Sequence, residues 1–298
     1  LASHLNISPN DGNDNFKKVA RALTIVENGL KGADELLKGL RFTKKSPIIG
    51  ITGPPGAGKS TLVNALINHM IGSGLKIAVL AIDPTSPFNF GSLLGDRIRM
   101  SAHFNKPDVF IRSLATRGSL GGLSAKTIEM SDVLRAAGFD YIFVETVGVG
   151  QSEVEIAGLA DITMVVLVPE SGDEIQTIKS GLMEIADAFI VNKADRDGAD
   201  TFVNNLKKIS QQKNEEVPVF KTIASMSAGI AEIVEFITSA QNIKNTRKEF
   251  LLADKAYKLI IQKRMANVDR QKLREEILEL STNTDFNLYS FVDGYTTQ

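Results

Sequence analysis

The stretch Gly53-Pro54-Pro55-Gly56-Ala57-Gly58-Lys59-Ser60 decides how this chain is read. It fits G-x-x-x-x-G-K-[ST], a loop pattern that binds phosphates. The flanks agree, since Pro47 to Thr52 reads as a short buried strand and Lys59 to Ile71 as a helix. Glycines let such a loop wrap closely, so that several backbone N–H groups point inward. The following helix directs its positive end to the same place. Lys59 supplies a cation for the β- and γ-phosphates, and Ser60 a hydroxyl for Mg²⁺. Residues Gly53 to Ser60, with Thr61, are the expected phosphate contacts.

Around this loop, short apolar runs alternate with helical segments. The runs are Ile48–Thr52, Ile77–Ile82, Val109–Arg112, Tyr141–Val144, Met164–Val168, Ala188–Val191 and Val217–Phe220. They are rich in Val and Ile and lack strict polar alternation, as strands covered on both faces do. The fold class expected is α/β: a mostly parallel central sheet flanked by helices. Before it, Phe16 to Leu40 carries helical spacing at Val19, Leu23, Val26 and Leu30. After it, from about Ile243, the chain is charged and helical, with Leu273, Ile277 and Leu280 on one face. This divides the chain into a helical extension (1–45), a nucleotide-binding domain (46–242) and a helical tail (243–298).

Composition narrows the partners. The 298 residues carry a formal net charge of −1, which gives no support for nucleic acid or an anionic membrane. No apolar run is long enough to span a bilayer. The absence of cysteine suits a reducing compartment, so a cytoplasmic protein is expected. The polar stretch Leu1 to Asn15 lacks the apolar centre of a secretory signal. The sequence starts at Leu rather than Met, which leaves open residues upstream, a targeting segment among them.

In open parallel sheets the ligand lies beyond the carboxyl ends of the strands. The second strand ends at Asp83 and the fourth at Glu145, within Glu145-Thr146-Val147-Gly148. An acid at such a place is a partner for Mg²⁺, and the Gly148 N–H can meet a γ-phosphate. Asp83 also suits a plain turn cap, whereas a buried Glu145 needs a partner. The sixth strand leads into Asn192-Lys193-Ala194-Asp195, which fits N-K-x-D. Asp195 can accept two hydrogen bonds from guanine, and adenine offers no such donor pair. Asn192 would brace the loop and reach the base, and the Lys193 stem would lie along the ring. The Ala224 N–H is a candidate for the guanine oxygen. GTP is therefore expected over ATP.

Together these segments resemble the SIMIBI class of P-loop GTPases, and within it the MeaB/ArgK/MMAA-type family. The likeness rests on Gly53 to Thr61, on Asp83-Pro-Thr-Ser86 with Gly95-Asp96-Arg97-Ile98-Arg99-Met100, on Glu145-Thr-Val-Gly-Val-Gly-Gln-Ser-Glu153, and on Asn192 to Asp195. The resemblance implies that Asp83, Asp96 and Glu145 surround the magnesium and its waters. It places one switch at Asp96 to Met100, a second at Val147 to Glu153, and a third at Pro169 to Lys179. The third would communicate with the partner, an adenosylcobalamin-dependent acyl-CoA mutase whose cofactor loading the GTPase gates. It further implies a homodimer built through the helical tail.

The hydrolytic machinery reads as incomplete. Val149, not a glutamine, follows Gly148, and Gln151 stands three residues after that glycine. Arg99 and Lys179 are the cations that a partner could order. With Lys59, Asp96, Glu145 and Gln151 they form the expected catalytic set, with slow intrinsic hydrolysis raised by the partner. Two other functions compete with this one. A transport ATPase of the cassette type needs Leu-Ser-Gly-Gly-Gln, and this chain has Ser119-Leu-Gly-Gly-Leu-Ser124. A nickel-delivery GTPase needs His or Cys ligands, and His4, His69 and His103 stand far apart in sequence.

Overall fold

The computed structural model describes residues 13–83, 103, 106–115, 125–146, 148, 155–170, 182–211, 217–240, 248–282 and 285–296. The chain divides into two compact units, Leu1–Lys255 and Ala256–Gln298. At the centre of the first lie seven strands: β1 (Ile48–Thr52), β2 (Ile77–Asp83), β3 (Val109–Ala115), β4 (Tyr141–Glu145), β5 (Ile162–Leu167), β6 (Ala188–Val191) and β7 (Val219–Lys221). All pair in parallel, in the order β3-β2-β4-β1-β5-β6-β7. The seven runs legible in the sequence are these seven strands. Their ends differ: β5 starts two residues earlier, β3 runs on to Ala115, and β7 is shifted to Val219–Lys221.

Burial on both faces explains why the strands read as continuous apolar runs. Each strand divides its side chains by alternation. Ile49 and Ile51 of β1, with Val79, Phe143, Val166 and Ile190, face helices α3 (Lys59–Met70) and a later helix at Ile230–Ala240. Leu62, Leu66, Ile67, Ile233 and Ile237 close that side. On the other face, Ile48, Leu80, Ile142, Val165 and Phe189 meet α1 (Asn13–Glu27), α2 (Ala33–Lys38), α4 (Ala125–Ala136) and α5 (Ala199–Ser210). Gly50 lies on this second face because Ile156 and Ala160 press on the strand. A Cβ there would come within 2.5 Å of Ile156.

The helical lead-in is interrupted. It is two helices, since Gly29 (φ 58°) and Gly32 (φ 96°) take left-handed conformations that end one and begin the other. Val19, Leu23 and Val26 are fully buried, each contributing about 1.5–3 kcal/mol, but Leu30 falls after the break and is exposed.

An aspartate precedes each of β4, β5 and β6, and its carboxylate caps the open end of a neighbouring strand. Asp140 accepts from Lys76 N–H, Asp161 from Ile48 N–H and Asp187 from Thr163 N–H, each at 2.8 Å. These bonds satisfy amides at the amino edge of the sheet and so help set the strand register.

In the second unit, α8 (Arg270–Leu280) starts at Asp269, whose carboxylate accepts from Gln271 and Lys272 N–H groups. Asn287 caps α9 (Leu288–Thr296) in the same way. Leu273 and Ile277 are half-buried, whereas Leu280, the third residue of the expected apolar face, is exposed. The Ile230–Ala240 helix is α6, and α7 (Lys248–Arg264) contains the boundary between the units.

Candidate functional site

The loop after β1 closes on itself through its glycines. Gly53 (φ 133°), Gly56 (φ 77°) and Gly58 (φ 87°) occupy backbone regions that other residues reach only with strain. Gly53 is also pressed on β5, where a Cβ would lie 2.0 Å from the Val166 carbonyl oxygen. Such left-handed turns direct successive N–H groups toward one concavity, an arrangement suited to phosphate. Lys59 and Ser60 open α3 and are buried, while Thr61 is exposed. The buried Lys59 ammonium donates to the carbonyls of Gly53 (2.8 Å) and Pro54 (3.0 Å), which helps offset the cost of its burial.

β4 delivers the next group. Glu145 ends the strand, is only 4% exposed, and its Oε1 accepts from Ser60 Oγ at 2.6 Å. Gly148 (φ 85°) lies directly on the loop, because an added Cβ would stand 2.2 Å from Gly53 O and 2.4 Å from Lys59 Nζ. Strand, loop, helix and the residues after β4 thus converge on one place. β2 also ends nearby in the sheet, one strand beyond β4, at Asp83. The Asp83 side chain lies outside the described residues, as do Asp96, Arg99, Gln151 and Lys179.

The sixth strand brings the Asn192-Lys193-Ala194-Asp195 loop to the same edge. Asn192 is buried and joins two loops: its Nδ2 donates to Ala57 O (2.9 Å), and its Oδ1 accepts from Thr222 Oγ1 (3.2 Å) and Ala224 N–H (3.1 Å). Lys193, in a left-handed conformation, donates to Gly56 O at 2.7 Å. Gly58 is needed here for space as well, since a Cβ would lie 2.4 Å from Asn192 Nδ2. Asp195 is exposed beyond this brace, and Arg196 forms an ion pair with Glu170. The Ala224 N–H, expected at the guanine oxygen, here donates to Asn192 Oδ1.

Three polar residues here carried no warning in the sequence. Thr222 holds Asn192, and Thr146 donates to Thr52 at 3.1 Å beside the loop. A threonine at a strand end is too common to single out before its partner is known. The donor set of a serine hydroxyl and a buried carboxylate consists of hard oxygens and fits Mg²⁺. Among the described residues no group of three or more His, Cys, Asp or Glu is placed to hold a metal ion.

Comparison with known proteins agrees with this geometry. A Pyrococcus abyssi protein with a provisional GTPase name is 46% identical over 297 residues, covering 93% of this chain and 91% of that one. GTPase ArgK of Escherichia coli is 37% identical over 250 residues, covering 81% and 73%. A segment of the fused isobutyryl-CoA mutase of Geobacillus kaustophilus is 37% identical over 227 residues, covering 70% of this chain and 21% of that one. Among solved structures, an LAO/AO transport system kinase matches with a TM-score of 0.65 and 26% identity, covering 93% and 91%. Nickel-bound HypB from Helicobacter pylori shares the fold alone, with a TM-score of 0.50 and 19% identity over 75% and 95%. The family model for the methylmalonyl-CoA mutase-associated GTPase MeaB matches residues 19–277. The chain therefore belongs to the MeaB family of P-loop GTPases and is a hydrolase of GTP.

Proposed function

We propose that this GTPase is a chaperone that gates adenosylcobalamin loading and protection of an acyl-CoA mutase of the methylmalonyl-CoA mutase type. The observation that carries the mutase partner is the fused isobutyryl-CoA mutase, in which a segment 37% identical to this chain lies within the mutase polypeptide itself. Fusion makes the association permanent and suggests that the separate protein meets its mutase in the same way.

In this reading the loop from Gly53 to Thr61 binds the phosphates through its amides and through Lys59. Asp195 reads guanine, while Asn192 keeps its loop in register with the phosphate loop by bonding Ala57 and Ala224. Ser60, Asp83, Asp96 and Glu145 are assigned to Mg²⁺, which when bound neutralises phosphate charge. Gly148 offers its N–H to the terminal phosphate. Arg99, Gln151 and Lys179 complete the hydrolytic set once the mutase orders them, so intrinsic turnover is slow. GTP and GDP then hold the residues after β4 differently, and this difference changes affinity for the mutase.

We assign residues 243–298 to a homodimer contact. Tyr257, Ile260, Ile261, Leu278, Leu288 and Tyr289 are exposed there, more apolar surface than a lone helical segment presents at ease. A two-fold pair would cover it. No described helix is long and apolar enough to cross a membrane, and the cysteine-free composition suits the cytoplasm.

The test is a pull-down of candidate mutases with the protein loaded with GDP or with a non-hydrolysable GTP analogue. Nucleotide-dependent capture of one mutase is the expected result. Equal indifference of methylmalonyl-CoA and isobutyryl-CoA mutases to both forms would end the chaperone reading and leave the GTPase standing.

A further inference from the structure

One buried bond beside the phosphate loop has no part in the proposed binding of nucleotide and metal. Thr146 Oγ1 donates to Thr52 Oγ1 at 3.1 Å. Thr52 is fully buried and Thr146 is 2% exposed. Thr52 is the last residue of β1 and leads directly into Gly53, while Thr146 comes after Glu145 and stands two residues before Gly148. At the same level the Thr146 N–H donates to the Ile51 carbonyl at 3.0 Å, continuing the β1–β4 ladder by one step. Side chain and backbone therefore attach the chain at Thr146 to the last two residues of β1.

Sheet packing alone does not call for these hydroxyls. Two β-branched apolar side chains of similar shape would suit buried strand ends, and replacing both partners of a buried bond is often near neutral in stability. A pair of hydroxyls adds direction, because the bond forms at one separation and angle. The backbone leaving Thr146 needs that direction. Gly148 lies so near the loop that an added Cβ would be 2.2 Å from Gly53 O and 2.4 Å from Lys59 Nζ. Two residues span at most about 7 Å, so an attachment at Thr146 limits how far Gly148 can drift.

We propose that Thr52 and Thr146 are positioning residues for GTP: their hydroxyl pair pins the start of the segment after β4, so that the Gly148 N–H stands at the terminal phosphate. The inference rests on the nucleotide reading and deepens it. GDP lacks the phosphate that Gly148 would meet, so the pin acts on the triphosphate alone.

The experiment titrates fluorescent GDP and a fluorescent non-hydrolysable GTP analogue into the wild-type protein and the variants T52V, T146V, T52V/T146V and T146S. Each single valine variant should bind the GTP analogue about tenfold more weakly, the worth of one buried hydrogen bond. Affinity for GDP should change by less than about twofold. The double variant should be no weaker than the weaker single one, and T146S should match the wild type. A merely structural pair would weaken both nucleotides together, or neither, and either outcome overturns the pin. Should T146V fail to fold, T52V poses the same question from β1. Wild-type protein that bound neither nucleotide would overturn the nucleotide reading and the pin with it.

Discussion

Ser60 Oγ donates to Glu145 Oε1 at 2.6 Å, joining the first turn of α3 to the end of β4 across 85 residues of sequence. The bond places a hydroxyl and a buried carboxylate at the mouth of the phosphate loop, where a divalent cation is expected. Ser60→Ala removes one donor from the Glu145 carboxylate and one of the ligands proposed for the metal. Magnesium-dependent affinity for GDP should fall roughly 10–100-fold, while affinity measured in EDTA changes little. A magnesium titration at fixed fluorescent GDP reads this directly, and an unaltered magnesium midpoint would remove Ser60 from the metal site.

Gly148→Ala introduces a methyl group where Gly53 O and Lys59 Nζ already stand, at a φ of 85° that alanine tolerates poorly. Hydrolysis of GTP should drop at least about 100-fold, the loss expected of the contact proposed at the reacting phosphate. Affinity for GDP should stay within a few-fold. Single-turnover hydrolysis beside GDP binding separates the two, and parallel losses would show that the loop itself had collapsed.

Asp195 is exposed and makes no hydrogen bond or ion pair among the described residues, so its replacement tests recognition rather than stability. In the proposed site, Asp195→Asn replaces a carboxylate able to accept two bonds from guanine by an amide that repels one of the donors. The preference for GTP over ATP should fall by about 100-fold or more, since each charge-assisted bond is worth about 1.5–3 kcal/mol. Thermal unfolding without nucleotide should be unaltered. Competition by ATP no better than against wild type would remove Asp195 from the base site.

His103 is buried, and its Nε2 lies 2.6 Å from Asn64 Oδ1 on α3. Burial holds its pKa below the usual value, Lys106 lowers it further, and the hydrogen bond with Asn64 partly opposes both. The folded protein then binds fewer protons at this site than the unfolded chain does. The contribution to stability is complete above the unfolded pKa of about 6.5 and is lost as pH falls through the depressed folded value. Urea unfolding at pH 7.5 and 5.5 should show a drop for the wild type that is smaller for His103→Gln. The same drop in both would assign it to other groups.

Asp161 accepts from the Ile48 N–H at 2.8 Å and pairs with Arg135 of α4. Asp161→Ala should destabilise the fold by about 1–3 kcal/mol, because it leaves the amide of a fully buried strand residue unpaired. Asp161→Asn, which keeps an acceptor, should recover part of that loss. Chemical denaturation decides, and a change under about 0.5 kcal/mol would mean that water satisfies Ile48 instead.

The seven strands were legible because each is buried on both faces and so must be apolar along its whole length, as Ile48–Thr52 and Ile162–Leu167 are. Their ends were less legible. Val217 and Pro218 read as strand, yet β7 begins at Val219, because Pro218 has no N–H for the ladder although its carbonyl already accepts from Phe189. In the lead-in the helical spacing was legible, but the break at Gly29 and Gly32, which leaves Leu30 exposed, was not. Lys59, Ser60, Glu145 and Asn192 stood out in their motifs, whereas Thr52, Thr146 and Thr222 act only through partners distant in sequence.

The order of residues was sufficient for the α/β class, the phosphate loop and the family, because periodicity and motif spacing are local properties of a chain. Folding alone decided which groups meet. Strand β4 inserts between β2 and β1, and this carries Glu145 to Ser60 and Thr146 to Thr52. Asn192 reaches Ala57 across 135 residues because β5 separates β6 from β1 by one strand width on each side. Strand order depends on how two apolar faces are buried at once over the whole sheet, and no short stretch of sequence contains that sum.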